Sequence, residues 1–153
     1  VIARDFINAK GTMYLGRGYS YPIAMEGALK LKELSYIHAE GYAAGEMKHG
    51  PLALIEDGIP VVVLAPKDRF FEKTISNMQE VIARGGKVLM ITDDTSEIMS
   101  ENIRFKFQIP KTNSTINSFL LTIPLQFLAY HVALLKNCDI DKPRNLAKSV
   151  TVE

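Results

Sequence analysis

The chain has little of what commonly announces a function. It holds one cysteine, Cys138, among 153 residues. No internal disulfide can form, and no cysteine pair is available to a metal; this usage fits a reducing cytoplasm. Charge of one sign is not in excess either. Lys and Arg number 18 against 17 Asp and Glu, a formal net charge of +1, which leaves no broad footprint for nucleic acid or an anionic membrane. An anionic ligand would have to be held by a local site. Long hydrophobic runs are missing as well. The densest stretch, residues 119–135, is interrupted by Pro124, Gln126 and His131. It falls short of the roughly 18 apolar residues that span a bilayer and reads as a buried helix. The first residue is Val1 rather than Met, so the sequence is expected to be a fragment of a longer chain, with no signal-peptide pattern of its own. No internal repeat or low-complexity segment stands out.

What is there reads as an ordinary globular domain occupying residues 1–153. Hydrophobic residues make up 47% and charged residues 23%, and the length suits one core. Met13, Tyr14 and Leu15 form a short apolar run that stops at Gly16-Arg17-Gly18, the pattern of a strand and a glycine turn. Ser20 then stands where a helix cap would, with Pro22 in the first turn. The helix is expected to run to about residue 38, burying one face through Ile23, Met25, Leu29, Leu31 and Leu34. Residues 39–60 carry Gly41, Gly45, Gly50, Pro51, Gly58 and Pro60 and read as loop. Residues 61–65 (VVVLA) and 87–92 (KVLMIT) read as strands buried on both faces, separated by a helix over 70–83 that ends at Gly85-Gly86. Residues 103–109 alternate apolar and charged, as a half-exposed or edge strand does. A long helix over 117–135 and a tail from Pro143 complete the order. This is an α/β layered domain with a mostly parallel sheet. In such sheets ligands gather at the carboxyl ends of strands, so the loops after Leu15, Leu64 and Ile91 are where a site is expected.

Three segments hold residues suited to chemistry. Glu26, Lys30 and Glu33 are spaced by four and three, which places them on one side of a helix. Two carboxylates flanking an ammonium can supply a proton acceptor and steady a developing oxyanion. A solvated face with ordinary ion pairs has the same spacing, so both readings stay open. His49 lies in the loop GEMKHGP, where an accessible imidazole with an ordinary pKa near 6.5 suits proton transfer. His38, at a helix end, and His131, within an apolar helix, read as structural. Lys148 lies in the terminal segment PRNLAKSV. A terminal lysine is normally a solubilising charge, but an amine can form a Schiff base with a carbonyl substrate, and a tail can close over a site. Gly16 and Ser20 bound a turn that opens a helix and could receive a phosphate, without the spacing of a Walker loop or a dinucleotide fingerprint.

These segments also carry a resemblance. GRGYSYPIAMEGALKLKELSYIHAEGYAAGEMKHGPLALI (residues 16–55) and DKPRNLAKSVTVE (residues 141–153) resemble the second sugar-isomerase (SIS) subdomain and the C-terminus of the glutamine–fructose-6-phosphate aminotransferases. The likeness runs through the whole chain. EGALKLKE and EMKHGP also occur in relatives such as amino-sugar deglycases; the PRNLAKSVTVE ending is more specific. The resemblance implies a SIS-type three-layer αβα sandwich around a mostly parallel, flavodoxin-like sheet, with residues 140–153 as a C-terminal tail. It implies that Glu33 moves a proton between C1 and C2 of the sugar, with Lys30 beside it to stabilise oxygen charge. His49 would help open the sugar ring, reaching the site from the partner subunit of a homodimer. Lys148 would hold the open-chain sugar as a Schiff base until ammonia displaces it, and Glu26 would support the same site. The substrate is a sugar phosphate, with no cofactor and no metal. A glutaminase domain and a first SIS subdomain with a Ser/Thr-rich phosphate loop would lie upstream. The isolated chain is therefore expected to lack synthase activity and to bind fructose 6-phosphate poorly. The alternatives are a deglycase or phosphosugar isomerase on the same plan, or a sugar-phosphate sensing module. A sensor has no use for a base together with an imine-forming amine.

Overall fold

Among the described residues the chain forms five short strands and three helices, and four of the strands and all three helices follow from the hydrophobic pattern. The computed structural model describes residues 1–96 and 103–146. Strands β1 (Gly11–Gly16), β2 (His38–Ala43), β3 (Pro60–Leu64), β4 (Lys87–Thr92) and β5 (Ile103–Gln108) form one sheet in the order β2-β1-β3-β4-β5, with every pairing parallel. This is the flavodoxin-like order, with the chain reversing direction across the sheet between β1 and β3. The central strands β1, β3 and β4 are buried almost throughout, as near-continuous apolar runs require.

Alternation along the strands divides the core in two. Tyr14, Val62, Leu64, Leu89 and Ile91 face a layer built from helices α1 (Ser20–Ser35) and α3 (Ser114–Leu135). Met13, Leu15, Val61, Val63, Val88 and Met90 face α2 (Phe71–Ile82) and the short turns of residues 44–54. The expected αβα sandwich is what the chain forms, and β5 is an edge strand, as its alternation predicts.

Five details depart from the sequence reading. Residues 38–43 are not loop: HAEGYA pairs in parallel register with β1, His38 opposite Gly11 and Ala43 opposite Gly16. The stretch lacks β-branched residues, and Gly41 is there because a Cβ would stand 2.6 Å from the Met25 Cα. The first helix ends at Ser35, earlier than expected, where Tyr36 takes a left-handed conformation and its N–H donates to the Lys32 carbonyl. Tyr19, not Ser20, occupies its N-cap, without a side-chain cap. The buried stripe of α1 is made mostly of small residues, Ala24, Gly27, Ala28 and Ser35, with Leu31 among them, while Met25 and Leu29 are exposed; small side chains let the helix lie close to the sheet. Finally, α3 is not buried all round. It starts at Ser114, capped by Asn113, whose Oδ1 accepts from the Ile116 N–H at 3.0 Å. Leu121, Leu125, Leu128, Ala129 and Val132 are buried. The other side exposes Phe119, Ile123, Phe127 and Tyr130, and His131 lies there too. The helix has no charged residue over 22 positions, so by length and composition it could cross a membrane; here it packs one face on the sheet and α1.

Candidate functional site

The Glu26, Lys30, Glu33 stripe lies on the outward side of α1, opposite its buried small residues. The Lys30 Nζ donates to the Glu33 Oε2 at 2.7 Å and stands 3.8 Å from the Glu26 Oε1. The three side chains are 43%, 32% and 28% exposed in chain order, so the Glu33 carboxylate is neither sealed in the core nor fully solvated. The hydrogen bond to Glu33 is the main reason the Lys30 ammonium is held above its usual pKa. The group is charged throughout the neutral range, as an electrostatic stabiliser of a nearby oxyanion must be. On its β2 side α1 borders an open groove of about 500 Å³ lined by Met25, Glu26, Leu29, Lys32, Glu40 and Gly41.

This stripe does not lie at the carboxyl ends of the strands, where the sheet topology leads one to look for a site. Helix α1 leaves the end of β1 and runs back along the sheet, and β2 restarts at His38 opposite Gly11. Glu33, in the last turn, therefore lies toward the amino edge of the sheet, about 20 Å along the helix from Ser20. Gly16 and Ser20 belong to the other end. A Cβ at Gly16 would stand 2.3 Å from the Ser20 carbonyl oxygen, so that glycine serves a tight strand-to-helix turn. Ser20 is buried, beside a cavity of about 20 Å³, room for one water. The structure does not bring these two residues together with Glu33.

The carboxyl-end crevice is instead occupied by the protein's own side chains, which sequence reasoning did not single out. Arg17 donates to the Asn77 Oδ1 at 3.1 Å. Lys67 donates from its backbone N–H to the Asp93 Oδ1 at 2.6 Å and from its Nζ to the Asp94 Oδ1 at 2.7 Å. The Asn117 Nδ2 approaches the Asp93 Oδ2 at 3.4 Å. The Lys67 bond is the main cause holding the Asp94 carboxyl below the usual range and the Lys67 amine above it. The dipeptide Asp93-Asp94 after a buried strand was the available signal; its partner 26 residues upstream was not readable from spacing.

The remaining candidates separate. His49 is 76% exposed, with its Nε2 3.8 Å from the Glu46 Oε2. It ends the turn that packs through Met47 against the α2 layer, so sheet and core lie between it and α1 of the same chain. His38 opens β2 rather than closing a helix and is 70% exposed, 3.6 Å from Glu40. His131 is exposed on α3 rather than buried. Lys148 lies outside the described residues. No cluster of three or more His, Cys, Asp or Glu suited to a metal occurs among the described residues. A groove of about 900 Å³ between β5 and α3 is mostly apolar, with Arg4 and His131 as ionisable side chains in its lining.

Comparison with known proteins gives this geometry a context. The chain is 58% identical over 153 residues to the isomerizing glutamine–fructose-6-phosphate aminotransferase of Bartonella quintana, covering 99% of this chain and 25% of that one. This chain thus spans about a quarter of the length of the curated relatives it matches. Among solved structures, the C-terminal domain of glucosamine-fructose-6-phosphate aminotransferase from Francisella tularensis superposes with a TM-score of 0.87 at 46% identity, over 92% of this chain and 40% of that one. A glucosamine-6-phosphate deaminase from Thermotoga maritima superposes with a TM-score of 0.74 at 27% identity, over 98% of this chain and 42% of that one. Residues 5–136 match the SIS domain family, and with the parallel sheet and its two helical layers, this chain belongs to that family.

Proposed function

We propose that residues 1–153 are the second SIS subdomain of a glutamine–fructose-6-phosphate aminotransferase, cytoplasmic and homodimeric, which makes glucosamine 6-phosphate from fructose 6-phosphate and glutamine-derived ammonia. The observation that carries the reading is the half-exposed Glu33 carboxylate held at 2.7 Å by the Lys30 ammonium. A carboxylate that a substrate can reach, with a cation beside it, is what an enolisation base requires.

In this mechanism His49 of the partner subunit moves a proton between ring and hydroxyl oxygens, opening the sugar and freeing the C2 carbonyl. The Lys148 amine adds to C2 and water leaves, forming a Schiff base. Ammonia then adds to C2 and the lysine amine departs, leaving the C2 imine of the sugar. Glu33 takes a proton from C1 and returns it to C2, while the imine nitrogen gains the proton that the C1 hydroxyl gives up, so that C1 becomes the aldehyde and C2 carries the amine. Lys30 stabilises oxygen charge along the way, with Glu26 3.8 Å from its amine. The sugar approaches the outward flank of α1, and its phosphate contacts come from an upstream SIS subdomain. The opposed layers of Glu33 and His49 support a division of labour between two subunits.

The test is made in the full-length protein. Glu33→Gln is expected to lower glucosamine 6-phosphate formation by about 10²–10⁴-fold with glutamine hydrolysis retained, and Lys148→Ala to abolish amination with hydrolysis likewise retained. Unchanged sugar output would remove the substituted residue from the mechanism. The 27% identity to a glucosamine-6-phosphate deaminase favours one second reading, an amino-sugar deaminase on the same plan. Release of ammonia from glucosamine 6-phosphate, without glutamine-dependent synthesis, would select it.

A further inference from the structure

We propose that Asn77 and Glu80 of α2 are positioning residues for His49, holding the turn that presents its imidazole. The proposal rests on the reading of His49 given above and adds to it the support on which that histidine stands.

His49 ends a six-residue 3₁₀ turn, Ala44–His49. Side chains at i and i+3 of such a turn eclipse, so its residues fall into three columns. The column of Ala44 and Met47 is buried in the apolar layer of α2. The column of Glu46 and His49 faces solvent, its side chains 73% and 76% exposed. The column of Gly45 and Lys48 meets polar groups of α2 at both levels. At the first, a Cβ on Gly45 would stand 2.8 Å from the Arg17 Nη1, and that nitrogen donates to the Asn77 Oδ1 at 3.1 Å. At the second, the Lys48 Nζ lies 3.0 Å from the Glu80 Oε1.

Asn77 and Glu80 are three apart on α2 and share a face, so two levels of the helix meet two levels of the turn. Asn77 is buried, and the Glu80 Oε2 is buried with no partner among the described residues. A carboxylate so withdrawn from water depends on the cation it has; a fully exposed ion pair would hold far less. Beyond His49 the chain turns through Gly50 at a φ of 148°, where a Cβ would meet nothing within 4 Å. That glycine serves backbone freedom and not close packing. The direction of the imidazole is therefore set from the α2 side. With two columns pinned, the third is held in place, as a group that must meet its substrate in one geometry requires.

Glu80→Ala tests positioning apart from folding, because it removes the withdrawn charge along with the ion pair and puts a strong helix former on α2. In the full-length protein this variant is expected to lower the kcat for glucosamine 6-phosphate formation about ten- to a hundredfold. The KM for fructose 6-phosphate, glutamine hydrolysis and the thermal midpoint are expected to stay as in wild type. Lys48→Arg, which can reach the same carboxylate, is expected to keep the rate. Asn77→Ala releases Arg17 at the other level and is expected to give the same split between kcat and KM; wild-type kcat there would strike Asn77 from the proposal. Subunit exchange reads which site is affected. Because the imidazole serves the partner's sugar, Glu80→Ala mixed with Glu33→Gln is expected to recover about a quarter of wild-type activity, through hybrid dimers with one intact site. Mixed with His49→Asn it is expected to recover nothing. The opposite pattern would show that Glu80 serves its own subunit's site and would overturn the proposal. Wild-type kcat in Glu80→Ala, beside a His49→Asn variant that has lost sugar output, would overturn it too and leave the reading of His49 standing. Full sugar output in His49→Asn would sink both.

Discussion

Single residues differ in how far they could be read ahead of the structure. Glu26, Lys30 and Glu33 were legible because helical spacing is a local property; their partial exposure was not, since it depends on what lies on either flank of α1. Tyr36 was invisible as a cap, because its left-handed backbone is fixed by the close return of the chain into β2 and not by its own preference. Gly16 shows the reverse case, a residue read as part of a phosphate turn whose steric part in that turn was not legible. A Cβ there would meet backbone at 2.3 Å, and backbone cannot swing aside as a side-chain tip can. Gly16→Ala is therefore expected to destabilise the domain by about 1–3 kcal/mol, measured by denaturant unfolding. An unchanged midpoint would show that the first turn of α1 shifts at little cost.

At the scale of elements, the lesson concerns strands formed by pairing rather than by propensity. β3 and β4 announced themselves through β-branched runs, whereas β2 exists because HAEGYA completes the edge beside β1. Its residues favour no strand in isolation. The ion pair joining the loops after β3 and β4 was hidden for a related reason, its partners being brought together only by the sheet. It gives this junction a defined pH dependence. The Asp94 carboxyl is held below its ordinary value of 3.8, so its stabilisation is complete above that value and is lost as pH falls through the lowered one. The Lys67 amine is held above its ordinary value of 10.5, so its contribution is complete below that value and is lost as pH rises through the raised one. Asp94→Asn should lower the thermal midpoint at neutral pH and flatten its dependence on pH below about 4. Parallel acid profiles for variant and wild type would show that Asp94 does not drive the transition.

The whole molecule was the most legible level. Alternating strand and helix patterns forecast the layered parallel fold, and the structure has it. The site was legible only in part, because one chain places Glu33 and His49 on opposite sides of its sheet. If both serve one sugar, they come from different subunits. Mixing full-length Glu33→Gln and His49→Asn subunits under conditions of exchange should then restore about a quarter of wild-type activity. Half of the dimers would be hybrids, each with one intact site. No recovery on mixing would place both residues in the same subunit's chemistry, or neither.

The uncharged stretch of α3 has a consequence of another kind. Its exposed apolar side offers ionic strength almost nothing to screen. Contacts made across it draw on water release, which weakens on cooling, so any association through this helix would be untouched by charge screening, strengthened by salting-out anions and loosened in the cold.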